Sequence, residues 1–302
     1  MDPHPDDSPY LALSEVGDDS RWAFGGGFDD PLEGVDTSVP DGLDPQALAA
    51  VCLALGDESL LLAQTLQRWV THTPELEEEV AIANVALDLI GQTRLLYARA
   101  ATAAPSVVPR LPDGSPVPAE DRLAFFRDAD EFVVATLAVM PDGDFAALMV
   151  RLAAITTWRD ALWRELRAAP DPVLAAVAER AVAEVGYHRD LATRWVAVLA
   201  GGTEESARRV AAAHRAVAPH VPELSQLPVA AQGEQVWVET WTRAEVTFAH
   251  AWGSVSTSST DGAPVVEQRS EASARRDPST DWRAELVTEL QSVAREHPMG
   301  RW

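Results

Sequence analysis

The 302-residue sequence predicts an all-α protein on three observations. Hydrophobic residues make up 47% of the chain, and its apolar segments are rich in alanine and leucine, which favour helix over strand. No segment alternates apolar and polar residues for more than a few positions. Three long periodic segments begin with an Asp-Pro or Thr-Pro pair, which combines an N-cap residue with a favourable first helical residue. A chain of this length can also bury a sizeable core.

The individual helices follow from these starts and from the stops after them. Three starts are marked by an N-cap residue and a proline, namely Asp44-Pro45, Thr73-Pro74 and Asp171-Pro172. Gly201-Gly202 marks a C-terminal stop. The predicted helices span residues 45–71, 74–103, 119–139, 143–168, 172–200, 204–218, 229–252 and 281–296.

The remaining residues predict an arm and a loop around one helical domain. Residues 1–43 are rich in Asp, Gly and Pro, which predicts an extended or disordered acidic arm. Residues 44–302 form the helical domain, and residues 254–280 are a polar loop within it.

Charge and cysteine content limit the partners and the compartment. The formal net charge is -23, which disfavours nucleic acid and anionic membranes because both require a basic surface. The single cysteine, Cys52, cannot form an internal disulfide. The acidic first residues lack the apolar core of a secretory signal, and the sequence predicts no apolar run of about 18 residues to span a bilayer. We therefore expect a cytoplasmic protein.

The helix predicted over 74–103 carries apolar residues on two sides. Its first stripe consists of Leu76, Val80, Ala83, Leu87 and Ile90, and most of its second stripe consists of Ile82, Val85, Leu89 and Leu96. A helix that is apolar on two sides is typically covered on two sides. We expect one face to meet the chain's own bundle and the other face to meet a partner.

Two apolar stripes each contain one polar residue. Gln92 follows Leu89 by three positions in the second predicted helix, and His188 follows Val185 by three positions in 172–200. Active di-iron bundles place a Glu-x-x-His step on each of two helices and one further Glu on each of two others. Here the steps read Leu-x-x-Gln and Val-x-x-His, so only His188 is still a good iron ligand.

These polar residues allow two interpretations. A buried histidine and a buried glutamine usually satisfy each other or another polar group by hydrogen bonding, and Gln92 is the predicted partner of His188. Asp88 and Glu184 lie four residues before Gln92 and His188, so a weak residual site of Asp88, Glu184 and His188 is the second interpretation. Asp57 is a further acidic candidate, for which the simpler interpretation is a polar helix surface.

Several separate blocks of the sequence carry a specific resemblance. They read "LGDESLLLAQTLQRWVTHTPELEEEVAIANVALDLIGQTRLLYARAA", "AFFRDADEF", "EVGYHRDLATRWVAVLAGGT" and "ELQSVAREHPMGRW". Over about residues 46 to 302 the chain resembles the C subunits of the bacterial 1,2-phenylacetyl-CoA epoxidase, a ring-epoxidising monooxygenase complex.

The resemblance implies a ferritin-like helical bundle with extra C-terminal helices and a structural role in aerobic phenylacetate catabolism. In such complexes the di-iron centre lies in a homologous A subunit, and a reductase supplies electrons from NADPH. Carrying the A-subunit pattern onto this chain makes Leu89, Gln92, Val185 and His188 vestigial di-iron positions.

The resemblance therefore implies no catalytic residue, cofactor or metal in this chain. It implies the A subunit and the other epoxidase subunits as partners, with phenylacetyl-CoA bound only through the complex. The alternative is an independently active di-iron oxidase or iron-binding protein that uses Asp88, Glu184 and His188. A binding module unrelated to oxygen chemistry has no supporting feature in the sequence.

Overall fold

The computed structural model describes residues 32, 34–141, 143–226, 239–240, 242–244, 246–247, 250, 252 and 278–300, the side chains of 278–280 excepted. Within these residues the regular structure is helical and no strand occurs, which confirms the all-α prediction. The chain divides after Gly34 into two units, and the fold below is that of residues 35–302. Most of the predicted arm, the predicted loop 254–280 up to residue 277, and more than half of the predicted helix 229–252 lie outside the described residues.

The described helices are numbered here in chain order. They are α1 (Pro45–Gln67), α2 (Leu76–Ala103), α3 (Ala119–Phe125), α4 (Thr136–Val139), α5 (Phe145–Leu166), α6 (Pro172–Ala200), α7 (Glu204–Val217) and α8 (Pro278–Glu296). The helix α1 packs along α2, α5 packs along α6, and α2 contacts α6, so the four long helices form a bundle. The shorter α3, α4 and α7 and the C-terminal α8 pack around it.

Two of the three predicted helix starts are confirmed by their caps. The Asp44 side chain accepts a hydrogen bond from the Gln46 backbone amide at 2.9 Å, and α1 begins at the following proline. The Asp171 side chain accepts from the Leu174 amide at 2.8 Å at the start of α6. Each carboxylate satisfies an amide that has no partner within its helix.

The third predicted start and the end of the first helix are wrong by a few residues. The Thr73 hydroxyl donates to the carbonyl of Glu75 at 3.2 Å within a bend, so α2 begins only at Leu76. The helix α1 ends at Gln67 instead of residue 71, because tight turns take over after it. Small shifts of this kind are common at helix ends.

The predicted helix 119–139 is also wrong, because the structure breaks it into α3, a 3-10 turn over Ala129–Glu131, and α4. The Glu131 side chain accepts from the Asp128 backbone amide at 2.6 Å, which removes that amide from any continuing helix. The Val133 amide donates to Asp57 on α1 at 2.8 Å and holds the following residues extended. Local side-chain bonds thus compete successfully with helix formation.

The helix α1 corrects the expectation about membrane-spanning runs. By length and composition it could cross a bilayer, with a mean hydropathy of 1.5 over its most apolar window. Because 83% of that window is buried inside the fold, α1 has the character of a core helix of the bundle.

Candidate functional site

The seam between the four long helices contains a connected set of polar side chains. Gln92 on α2 is buried and donates from Nε2 to Oε2 of Glu184 on α6 at 2.8 Å. Its amide oxygen accepts from Nη2 of Arg159 on α5 at 2.5 Å. The same Nη2 donates to the hydroxyl of Ser59 on α1 at 2.9 Å. Side chains from all four helices therefore meet in one hydrogen-bonded chain.

That chain continues to the surface at one end. Glu184 is mostly buried and also accepts from Nε of Arg180, one turn earlier on α6, at 2.6 Å. Arg180 is more than half exposed. Hydrogen bonds thus link the buried Arg159 through Gln92 and Glu184 to the side chain of Arg180, which is in contact with solvent.

Glu58 on α1 is a buried carboxyl next to this chain. Neither carboxylate oxygen accepts a hydrogen bond from any residue that the structure describes. Burial raises the pKa of Glu58 from its usual 4.5 to about 7, and the positive charge of Arg159 opposes this rise. The same burial lowers the pKa of Arg159, against the opposing charges of Glu58 and Glu184. An arginine side chain nevertheless stays protonated in proteins.

His188 has a separate partner at the edge of the same seam. The buried ring donates from Nε2 to Oδ2 of Asp88 on α2 at 2.9 Å. The Asp88 side chain is about one-third exposed, so the pair joins the core to the surface. The predicted pair of Gln92 and His188 is therefore wrong: the two residues are both hydrogen-bonded, but each has a different partner.

Asp57 belongs to another cluster, and its expected surface position is wrong because it is fully buried. Its carboxylate accepts from the hydroxyl of Tyr97 at 2.6 Å, from both terminal nitrogens of Arg127 and from the Val133 amide. Burial, then the charge of Asp57, raises the pKa of Tyr97 well above its usual range. This cluster fixes the chain after α3 onto α1.

The donors in the seam do not fit a di-iron centre. Leu89 and Val185 are buried hydrocarbon, and the polar atoms of Gln92 and His188 have protein partners. The residual-site candidates are divided, because Asp88 bonds His188 whereas Glu184 bonds Gln92 and Arg180. Across the described part of the chain, no three His, Cys, Asp or Glu side chains are grouped as a metal would need.

Sequence reasoning missed Glu58 and Arg159, although the sequence carries a signal for both. Glu58 interrupts an apolar stripe of α1 that is formed by Val51, Leu55, Leu62 and Leu66. Arg159 similarly interrupts an apolar stripe of α5 formed by Leu152, Ile155, Leu162 and Leu166. A charged residue inside a helical apolar stripe is the same signal that identified Gln92 and His188.

The two-sided pattern of α2 is resolved into a buried face and an exposed face. Ile82, Val85, Leu89 and Leu96 lie in the core. The other stripe is exposed, with Leu76 at 69% and Leu87 at 63% relative accessibility, together with Val80 and Ile90.

The neighbouring helix α6 extends this exposed face. Asp88 of α2 faces His188 of α6, and Gln92 faces Glu184, so the two helices run antiparallel. A step of one residue turns the side chain by about 100° around the helix axis. In an antiparallel pair, one step back from each of two facing residues turns both side chains toward the same side of the pair. Leu87 and Tyr187, which precede Asp88 and His188, therefore lie on the same surface. Tyr187 and Val198 of α6 are also exposed. We call Leu76, Val80, Leu87, Tyr187 and Val198 the α2–α6 face.

Two comparisons show which known proteins this chain is similar to. The profile of the family described as "Phenylacetic acid catabolic protein" matches residues 36–302. A relative from Escherichia coli (strain K12), named as the C subunit of 1,2-phenylacetyl-CoA epoxidase, is 31% identical over 258 residues. The match covers 84% of this chain and 99% of the relative.

Proposed function

The chain belongs to the phenylacetic acid catabolic protein family, and from that premise we propose a non-catalytic structural role in a phenylacetyl-CoA epoxidase. In this role it stabilises and positions a homologous A subunit. The di-iron centre lies in that A subunit, which receives electrons from NADPH through a reductase. Phenylacetyl-CoA reaches this chain only within the complex.

The composition of the seam carries this proposal. Oxygen activation by a di-iron bundle needs several carboxylates and two histidines around the metal pair. In this chain, Leu89 and Val185 replace two carboxylates, Gln92 replaces a histidine, and Arg159 brings a positive charge between the helices. A cation in this place repels metal ions, so these residues support a function that does not depend on chemistry in the seam.

The α2–α6 face supports a protein partner. Large exposed apolar patches on soluble proteins commonly mark interaction sites. A second helical bundle is the occupant that we propose, because an antiparallel helix pair offers ridges and grooves to another pair of helices. The E. coli relative is named as one subunit of an enzyme, which supports a protein partner for this chain. An obligate interface of this type buries more than roughly 2,000 Å².

The remaining assignments follow from the same proposal. The iron belongs to the A subunit and not to this chain, and the complex works in the cytoplasm, where the buried free thiol of Cys52 stays reduced. The alternative, an iron-binding protein that uses Asp88, Glu184 and His188, has no specific observation in its favour, because the three residues belong to two separate hydrogen-bonded groups.

Co-expression with an A-type epoxidase subunit tests the proposal. We expect one complex on size-exclusion chromatography, with iron in the complex and in the separate A subunit but less than about 0.1 equivalent in this chain, which lacks a ligand set. Stoichiometric iron in this chain, or the absence of a complex, would contradict the proposal.

A matched pair of variants then locates the interface. Val80→Asp places a charge on the α2–α6 face, and Val293→Asp places the same charge on α8 at a position of similar exposure, 55% against 54%. We expect Val80→Asp to weaken the complex at least about tenfold, which corresponds to about 1.4 kcal/mol. Val293→Asp should leave it unchanged. Equal effects of the two variants would show that the α2–α6 face is not part of the interface.

A further inference from the structure

We propose that Arg159 is a fixed internal cation that takes the place of a metal ion in the seam. Its guanidinium holds α1, α2 and α6 around α5 in the way that a bound metal joins helices through their side chains. This inference concerns the stability of the chain itself and stands independently of the proposed function.

The contacts of Arg159 are those of a connecting group. The side chain is buried, and its Nη2 donates both to Ser59 on α1 at 2.9 Å and to Gln92 on α2 at 2.5 Å. Gln92 passes the connection to Glu184 on α6 at 2.8 Å. The guanidinium carbon also lies 5.6 Å from the ring centroid of Trp163 on the same helix, within the range of a cation–π contact. One group thus reaches three other helices, directly or through one amide.

The charges around Arg159 favour the same conclusion. Burying an isolated ion is costly, and a buried charge is normally paired. Glu58 and Glu184 are the acidic groups whose charges act on Arg159, and Arg159 is the cation whose charge acts on Glu58. The charge of one cation therefore acts on two carboxyl groups from two helices, on Glu184 through the intervening Gln92 and on Glu58 without a hydrogen bond.

This arrangement has a consequence for folding. A protein whose core is completed by a metal gains stability from binding it and loses stability when it is removed. A guanidinium is covalently attached and stays charged at every physiological pH. The bundle of this chain is therefore complete without iron, and its stability does not change with the supply of metal.

A double-mutant cycle between Arg159 and Glu58 tests the proposal, because the cycle isolates the coupling of two neighbouring groups. Arg159→Met should lower the Tm of the chain on the order of 10 °C, since it leaves Ser59 and Gln92 without their buried donor and removes the positive charge that acts on Glu58. In a Glu58→Gln background, the same substitution should cost clearly less. An equal cost in both backgrounds would overturn the electrostatic coupling of Arg159 with Glu58. Arg194→Met, at an exposed arginine of α6, is the control and should leave Tm nearly unchanged.

A second variant covers the case in which Arg159→Met does not fold. Arg159→Lys keeps the charge and loses the planar fork, so it should retain more of the Tm than Arg159→Met. Equal losses would show that packing, and not charge, is what Arg159 supplies. Wild-type chain from iron-free and from iron-replete cultures should have the same Tm. A Tm that rises with iron would contradict the proposal that Arg159 takes the place of a metal ion.

Discussion

Gln92 and Glu184 form a hydrogen bond between α2 and α6, with Nε2 of the amide 2.8 Å from Oε2 of the carboxylate. The amide oxygen of Gln92 is occupied as well, by Arg159. An amide can accept from a guanidinium and donate to a carboxylate at the same time. A glutamate at position 92 could accept from Arg159 but would place a second negative charge beside Glu184.

Gln92→Leu should therefore lower the free energy of unfolding by about 1–3 kcal/mol, because it leaves buried polar groups without partners. Urea unfolding of the purified chain measures this loss. Gln67→Leu, at an exposed glutamine at the end of α1, is the matched control and should change stability by less than about 0.5 kcal/mol. Similar effects of the two variants would mean that the seam network contributes little.

His188→Ala should act through folding and assembly rather than through chemistry. The substitution removes a buried ring and its bond to Asp88, at an expected cost of about 1–3 kcal/mol. Asp88→Asn, which keeps the size of the side chain and removes its charge, should cost less because Asp88 is partly exposed. If His188→Ala preserved both stability and complex formation but abolished turnover of the assembled enzyme, a structural role for His188 would be excluded.

Glu58 should make stability depend on pH in a defined direction. Its pKa is raised in the folded protein, to about 7 from the usual 4.5, so the folded state holds the proton more tightly than the unfolded state. Its contribution to stability is therefore complete below pH 4.5, is lost as the pH rises to about 7, and changes little above that.

The variant Glu58→Gln isolates this contribution, because it cannot titrate. Between about pH 5 and pH 8, wild type should lose stability relative to Glu58→Gln, by on the order of 3 kcal/mol if the whole shift is realised. Urea unfolding of both proteins across this range supplies the comparison. A constant difference between them would mean that Glu58 is not perturbed by burial.

Gly56→Ala should be destabilising by about 1–3 kcal/mol, as overpacking of a core usually is. A Cβ at Gly56 would lie 2.5 Å from Cε1 of Tyr97, whose ring is buried and whose hydroxyl is bonded to Asp57 and Arg127. Gly91→Ala on α2 has open space for its Cβ and should gain up to about 1 kcal/mol in helix propensity. Thermal unfolding should thus move in opposite directions for the two variants.

Helical periodicity predicted most of this fold because the amphipathic pattern repeats over many turns. It located the four long helices and, with the Asp-Pro pairs, two of their starts. It failed over residues 119–139, where Glu131 and Asp57 capture backbone amides by side-chain bonds that no periodic pattern records. Such bonds depend on one residue and on distant contacts, so they are difficult to predict from sequence alone.

The candidate site was predictable in part. Gln92 and His188 were recognised as buried polar residues because each interrupts an apolar stripe, but their partners were not, since stripes do not give the relative rotation of two helices. Asp57 and Glu58 illustrate the same limit. They are adjacent in the sequence, yet the first bonds Tyr97 and Arg127, whereas the second has no hydrogen bond within the described residues and is influenced by the charge of Arg159.

The central claim is that this chain supports catalysis by another subunit and performs none itself. Turnover of phenylacetyl-CoA in a reconstituted system with NADPH, the reductase, the A subunit and the remaining subunits tests it most directly. We expect turnover to fall sharply when this chain is left out, to return when it is added back, and to be absent when it replaces the A subunit. Unchanged turnover without this chain, or turnover by this chain in the absence of the A subunit, would contradict the claim.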